Sequence, residues 1–329
     1  MRPFHYEAAL DTETAIQAAA QLNDAAFLAG GTNLVDLMKL GVAAPANLID
    51  IGRLSLNDIA EDGAGGLVIG AGVRNSVLAA DIRVRRRFPV LSEALLAGAS
   101  GQLRNMATTG GNLLQRTRCR YFMDSTKPCN KRAPGTGCPA REGDHRNLAI
   151  LGGSPACIAT HPSDMAVALS ALGALVVVEG RDGQRTVSLD DLYRLPGDDP
   201  TRDTTLEVGD LITAVRVPEL VYAGRSTYRK ARDRASYAFA VGSVAAALDV
   251  VDGAVREVRL AFGAVGPTPW RAHVAESALR GEPATAARFA AAADAELKAA
   301  DPLRDNRYKL PLIRNLVVDV LSRLSEVTP

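Results

Sequence analysis

The first fifty residues set the tightest limit on the fold, because strand and helix patterns alternate there at short range. "FHYEA" (4–8) reads as strand, "ETAIQAAAQL" (13–22) as helix and "AAFLA" (25–29) as strand. The turn "GGTN" (30–33) leads into the helix "LVDLMKL" (34–40), and "NLIDI" (47–51) is strand again. Together they close a compact β-α-β unit. A second run begins with the strand "GLVIGA" (66–71) and the helical "VLSEALLAGA" (90–99), and breaks at the turn-rich "TTGGN" (108–112).

From 113 to 157 periodicity disappears and Gly, Pro and charge replace it, a length of irregular chain that usually carries function. Order returns with the helix "DMAVALSAL" (164–172), the strand "ALVVVEG" (174–180), a turn at "RDG" and the strand "LITAVRVP" (211–218). After a linker-like "ELVYAGR" come three strands, "STYRKA", "GSVAAALDVV" and "AVREVRLAFGAV". Three helices follow, "HVAESALRG", "TAARFAAAADAELKAA" and "YKLPLIRNLVVDVLSRL". That last third predicts a small α+β domain with antiparallel strands and trailing helices.

With 329 residues, two or three domains are expected. Hydrophobic residues are 47% and aromatics 5%, so the core is built from Ala, Val and Leu. A net charge of +1 argues against a protein that wraps nucleic acid. The N-terminus lacks a charged segment followed by an apolar one, and the most apolar window, 166–178, is too short to span a bilayer. The expectation is a chain with no membrane span, cytoplasmic by its own sequence and periplasmic only through co-export with a signal-bearing partner.

Two glycine turns carry the chemistry. "LAGGTNL" (28–34) sets two glycines between strand and helix, where backbone can approach a ligand and helix-opening amides favour an anion. It is not GxGxxG, so a Rossmann nicotinamide site is unsupported. "NMATTGGNL" (105–113) repeats the pattern of small hydroxyls, two glycines and an Asn. Two such loops could clamp the two phosphates of a dinucleotide from opposite sides. Taken singly, each is more commonly an ordinary turn.

"LAGGTNL", "TTGGN", "HPSDM" and "YRKARDR", in this order, resemble the FAD-binding subunit of molybdenum hydroxylases, the group of xanthine dehydrogenases, carbon monoxide dehydrogenases and aldehyde oxidoreductases. The resemblance runs over essentially the whole chain. It implies an α+β fold with a two-subdomain FAD-binding domain (PCMH-type, vanillyl-alcohol-oxidase-like) at 1–222, divided at about 57/58. A smaller C-terminal α+β domain at 223–329 would carry the antiparallel sheet and helices. The first loop, Leu28, Ala29, Gly30, Gly31, Thr32, Asn33 and Leu34, would wrap the FAD pyrophosphate, with Thr108, Gly110, Gly111 and Asn112 on its other side. Ser163 and Asp164 would lie near the ribityl and phosphate end. Ile212 and Lys230 would lie beside the isoalloxazine, where a cation stabilises the negative charge of reduced flavin. Without the resemblance, Lys230 reads as a solvated strand charge and Asp164 as the N-cap of the helix that follows. One departure stands out. Where many relatives place an Asp ahead of the next core strand, this chain has "ASYAFAVGS" (235–243).

In most relatives a short turn joins the "GGN" Asn to the Ser-Asp pair. Here Asn112 and Ser163 are far apart in sequence, and the resemblance makes most of the intervening chain, about 113–160, an insertion. All four cysteines, Cys119, Cys129, Cys138 and Cys157, fall inside it. Spacing alone leaves their use undecided between disulfides, zinc and an iron–sulfur cluster, although no CxxC pair favours zinc. Given the flavin family, a [4Fe–4S] cluster on the four thiolates is the expected use, because its bulk can be reached from scattered loops. Arg116, Arg118, Arg120, Lys127, Lys131, Arg132, Arg141 and Arg146 outnumber the nearby acids and would offset an anionic site. Such an insertion resembles that of bacterial molybdenum-dependent aldehyde oxidoreductases. His161 is expected to pack or to touch flavin. The implied role is electron transfer, with no side-chain nucleophile or base. Partners would be a molybdopterin-binding large subunit and a [2Fe–2S] small subunit, with an external electron acceptor. Xanthine or carbon monoxide dehydrogenase is the nearer alternative, a zinc-stabilised nucleotide-binding module without redox activity the remoter one.

Overall fold

The computed structural model describes residues 1–326. Its first unit is β1 (His5–Ala8), α1 (Thr12–Gln21), β2 (Ala25–Leu28), α2 (Leu34–Lys39) and β3 (Asn47–Asp50). The three strands pair in parallel in the order β1-β3-β2, the β-α-β arrangement read from the sequence. A capping box starts α1: the Asp11 carboxylate accepts from Thr14 N and the Thr14 hydroxyl accepts from Asp11 N. Ala15, Ile16 and Ala19 on one face of α1 meet Ile49 of β3 in a small core.

The second unit opens with β4 (Ile59–Glu61) and β5 (Leu67–Gly70). Five helices follow: α3 (Asn75–Ala80), α4 (Ile82–Arg87), α5 (Pro89–Ala97), α6 (Gly101–Met106) and α7 (Thr109–Leu113). Sequence reading found only α5. The others are under two turns, too short for a 3.6-residue repeat to show. At "TTGGN" the expected turn is a helical one, because the Thr108 hydroxyl accepts from Gly111 N and caps α7. After α8 (Arg120–Met123) come α9 (Asp164–Ala171), β6 (Leu175–Gly180), β7 (Gly183–Ser188), α10 (Leu189–Leu192) and β8 (Leu211–Val217). The sheet runs β4-β5-β8-β6-β7, antiparallel throughout. Strand β7 escaped the sequence because "GQRTVS" is a largely exposed edge without apolar alternation.

The last third is β9 (Ser226–Ala231), β10 (Gly242–Val251), β11 (Ala254–Gly263), β12 (Trp270–Arg271), α11 (His273–Leu279), α12 (Ala286–Leu297) and α13 (Lys309–Glu326). Strand β10 is buried from Gly242 to Asp249 because both of its faces are covered. Alternation sends Val244, Ala246 and Leu248 into one core with α12 and α13, while Ala245 enters the other core with Met165 of α9 and Leu91 of α5. Its small alanines let helices approach from both sides.

Residues 114–160 form a lobe around Cys119, Phe122, Leu148, Cys157 and Ile158, closed against Leu37 of α2 and Leu303 ahead of α13, except that Ile150 and Leu151 pack into the C-terminal core. Its roots are pinned together: Ser163 Oγ donates to Asn112 Oδ1 at 2.5 Å. Its far side is fastened to the C-terminal helices. Lys309, fully buried, donates through Nζ to Leu148 O at 2.9 Å and Ala264 O at 2.6 Å. Asn306 Nδ2 donates to Ala149 O at 3.1 Å, and His145 Nε2 accepts from Asp305 N at 3.0 Å. Burial, with the Arg146 charge nearby, pulls the Lys309 ammonium down to about 7.

Candidate functional site

The first glycine turn connects β2 to α2. Gly30 lies so close to the second loop's approach that a Cβ built there would land on the Met106 carbonyl, with Ala107 Cα 3.2 Å away. Gly31 adopts φ +71, the left-handed region glycine enters without strain. Among the described residues the backbone amides of Gly31, Thr32 and Asn33 donate to no acceptor, and Asn33 Nδ2 is buried and unpartnered. Unpaired donors gathered at a helix start suit a diphosphate. Leu28 closes β2 in register with Asp50, and Leu34 begins α2.

The second loop is held from below. Gly110 N donates to Ala71 O at 2.8 Å, and Ala71 N donates to Thr213 O at 2.9 Å, which fastens α7 to β5 and β8. A Cβ at Gly110 would press on Ala71 Cβ at 3.0 Å. Asn112 Oδ1 accepts from both Gln115 Nε2 and Ser163 Oγ. Arg116 N donates to Asn33 Oδ1 at 3.0 Å, so the two loops are joined across the lobe's root. Ile212 is buried in β8 beside Thr213, in the core beneath α7 rather than in an open cleft.

Ser163, not Asp164, is the N-cap of α9, accepting from Ala166 N at 2.9 Å. Asp164 is the first helical residue and its carboxylate is otherwise engaged. Oδ2 receives Lys230 Nζ at 2.7 Å and Oδ1 receives Tyr228 Oη at 2.5 Å. The Lys230 side chain is 4% exposed, so the solvated-charge alternative does not hold. Tyr228 was missed, although residues two apart in a strand share a face. Burial first, then the Asp164 charge, pushes its hydroxyl well above the usual tyrosine range, keeping it a proton donor. Lys230 Nζ and Arg232 Nη1 also donate to Ala97 O at 3.2 and 3.1 Å, at the end of α5.

His161 packs and does not stand free. Its ring lies edge-on to Tyr193 at 4.6 Å, Nδ1 accepts from Ser163 N at 3.4 Å, and Nε2 faces Leu113 O at 3.4 Å. Burial pulls its pKa down to about 4, against a smaller opposing pull from Asp203. The unfolded chain therefore binds a proton that the folded one refuses, and stability is lost as pH falls from about 6.5 toward 4. Between pH 7 and pH 5 this amounts to about 2 kcal/mol. Urea unfolding at the two values is expected to show that loss in the wild type and a flatter dependence in His161→Gln. An equal slope in both proteins would assign the acid sensitivity to other groups.

In the lobe all four cysteines are unbridged and belong to one cluster, with Cys119 and Cys157 buried and Cys129 and Cys138 half-buried. Burial pushes the Cys119 thiol up and that of Cys157 to about 11, the Lys131 ammonium working against the latter. Among the described residues no group of three or more His, Cys, Asp or Glu side chains, the four cysteines included, is placed to hold a metal. Of the eight basic residues named from the sequence, four pair with acids outside the lobe: Arg116 and Lys131 share Asp203, Arg118 meets Asp36 and Arg146 meets Asp233, while Arg120 pairs with Asp144 within it. No helix among the described residues is long and apolar enough to cross a membrane.

Comparison with known proteins gives a consistent result. Residues 2–220 match the family described as FAD binding domain in molybdopterin dehydrogenase, and residues 226–324 the CO dehydrogenase flavoprotein C-terminal domain. The chain is 49% identical over 323 residues to the aldehyde oxidoreductase FAD-binding subunit PaoB of Escherichia coli (strain K12), covering 98% of each. It is 30% identical to the carbon monoxide dehydrogenase medium chain of Hydrogenophaga pseudoflava, covering 97% of this chain and 96% of that one. The solved structure of carbon monoxide dehydrogenase from Hydrogenophaga pseudoflava, lacking the Mo-pyranopterin moiety, superposes with a TM-score of 0.76 at 29% identity, over 98% of this chain and 96% of that chain.

Proposed function

This chain belongs to the family of FAD-binding subunits of molybdenum hydroxylases, an oxidoreductase family, and from that premise we propose that it is the electron-transfer flavoprotein subunit of an aldehyde-oxidising complex. The observation that carries the reading is the meeting of the two glycine loops, with unpaired amides and the Asn33 amide on one side and the capped α7 on the other. The residues fit FAD. Gly31, Thr32 and Asn33 would hold its pyrophosphate from one side and Thr108, Gly110, Gly111 and Asn112 from the other, with Ser163 fixed to Asn112. Lys230, held by Asp164, would place a buried cation at the ring end. When bound, the flavin supplies the redox chemistry, storing two electrons between one-electron centres of a partner and an external acceptor. What the chain adds is position, charge and exclusion of water. An aldehyde substrate on a molybdopterin-bearing partner is favoured over carbon monoxide or xanthine by the 49% identity to the aldehyde relative against 30% to the carbon monoxide one.

The lobe is read as the seat of a [4Fe–4S] cluster on Cys119, Cys129, Cys138 and Cys157. Supporting it are four unbridged cysteines that pack in one hydrophobic cluster from well-separated positions. Zinc has less support, since the four cysteines form no CxxC pair. Such a cluster, if bound, would supply a one-electron centre. Anaerobic purification of the full chain, with flavin, iron and acid-labile sulfide measured, tests the whole reading. Flavin with iron and sulfide is expected, and a protein that yields no flavin overturns it. Cys129→Ser is expected to lose most of the iron while keeping its flavin. Unchanged iron in that variant would remove the ligand assignment and leave the FAD reading intact.

A further inference from the structure

The diphosphate of FAD is a dianion at neutral pH, yet the groups placed around it above are neutral. They are the amides of Gly31, Thr32 and Asn33, the Asn33 side chain and the capped turn at Thr108. Taking such a charge out of water is costly unless a cation accompanies it. Cations on the lobe's root are already committed, Arg116 to Asp203 and Arg118 to Asp36, and Lys230 is held by Asp164. Arg74, which the flavin reading has not used, is not committed in this way.

Arg74 precedes α3 and forms an antiparallel bridge with Thr108. Asn75 N donates to Ala107 O and Thr109 N to Val73 O, both at 2.9 Å, so Arg74 and Thr108 are the non-hydrogen-bonded pair of this short ladder. Side chains directly opposed in such a pair share a face, which puts Arg74 on the face of the Thr108 hydroxyl that caps α7. Its guanidinium donates through Nη1 to the Met106 carbonyl. That carbonyl is the one a Cβ at Gly30 would strike. Arg74 therefore touches the atom at which the two glycine loops meet. Among the described residues this is its one hydrogen bond, and no carboxylate pairs with it. The residue is half-buried, and the rest of its N–H fork is unused.

We propose that Arg74 is the cation of the diphosphate site, binding the ligand's phosphate oxygens through its charge and its free N–H groups. The inference rests on the reading of the paired loops as an FAD site. A guanidinium presents parallel donors that match phosphate oxygens, and it stays charged at any pH the protein meets. The bond to Met106 O anchors the side chain at the seam before a ligand arrives, so less side-chain freedom is lost on binding. Arg74 is thus a second tie between the loops: its backbone joins the second loop by the ladder, and its charge meets the anion that both loops grip.

The test measures FAD binding by the full chain after its flavin has been removed, in the wild type, Arg74→Gln and Arg74→Lys. Glutamine keeps a side-chain N–H donor without the charge, and lysine keeps the charge without the fork. Arg86→Gln, at an exposed arginine of α4, is the control. The thermal midpoint of the flavin-free chain reports whether each variant is sound. Arg74→Gln is expected to bind FAD at least tenfold more weakly at an unchanged midpoint, Arg74→Lys to recover most of that loss, and the control to bind as the wild type does. Added salt is expected to weaken FAD binding by the wild type more than by Arg74→Gln. A smaller loss in Arg74→Gln overturns the assignment. So does an equal loss in Arg74→Lys, which would make the side chain a clip for Met106 and not a charge for the ligand. If Arg74→Gln does not fold, the wild type decides: an FAD affinity indifferent to salt overturns the proposal. A sound wild-type chain that binds no FAD would strike the FAD reading itself and is distinguishable from these.

Discussion

Gly30→Ala is expected to empty the protein of flavin. The added methyl would fall on the Met106 carbonyl and within 3.2 Å of Ala107 Cα, and both are backbone. No rotamer change relieves that contact, so the first glycine turn must withdraw from the second. The amides of Gly31, Thr32 and Asn33 would then no longer face α7 across one diphosphate. The flavin-to-protein ratio of the purified variant is expected to fall more than tenfold. Gly41→Ala is the matched control, since Gly41 also sits at positive φ but a Cβ there meets nothing within 4 Å. Its cost is the left-handed conformation alone, about 1 kcal/mol, with flavin retained. Near-stoichiometric flavin in Gly30→Ala would mean that the two loops do not grip one ligand between them.

The second large effect is expected at Asp164. Its carboxylate bridges Lys230 and Tyr228 where the Lys230 side chain is 4% and its own 9% exposed. Asp164→Ala strands a buried ammonium and a buried phenol, and breaking such a pair from one side costs about 3–5 kcal/mol. Removing both charges is different, because an apolar pair of similar volume often restores stability. Lys230→Met with Asp164→Leu is therefore expected to recover most of the urea resistance that Asp164→Ala loses. It should still bind flavin poorly and show a lower flavin reduction potential, because the Lys230 ammonium is gone and only the more outlying Arg232, on Ala97 O, is left. A double variant that recovers both stability and the wild-type potential would reduce the pair to a structural brace.

Local chemistry made much of this legible in the sequence. The parallel β1-β3-β2 unit followed from short alternating patterns, and the hairpin of β10 and β11 from two long apolar runs around the Asp252-Gly253 turn. The glycine turns were visible because few residue types tolerate such approaches. Hidden features were those whose partner lies far along the chain or whose element is too short to repeat. Helices α3, α4 and α6, six residues each, give no period and so were invisible. Lys309 looks like any surface lysine on an amphipathic helix, yet it reaches Leu148, whose position in the chain gives no hint of the contact. The acid partners of Arg116, Arg118 and Arg146 were hidden because Asp203, Asp36 and Asp233 lie outside the lobe. The bare sequence offered Asp164 as a cap, but its neighbour Ser163 performs that task and frees the carboxylate for Lys230.

The hydrogen bond from Ser163 to Asn112 has a consequence for the guest segment between them. The chain leaves the flavin domain and re-enters it through one doorway, so the host geometry is indifferent to how many residues pass through, and closing a longer loop costs little more. The crown of that guest, however, hangs from Lys309 and Asn306 in another domain. A shift of the C-terminal helices against the flavin domain would thus pull on the stretch at Leu148 and Ala149 while the doorway stays closed.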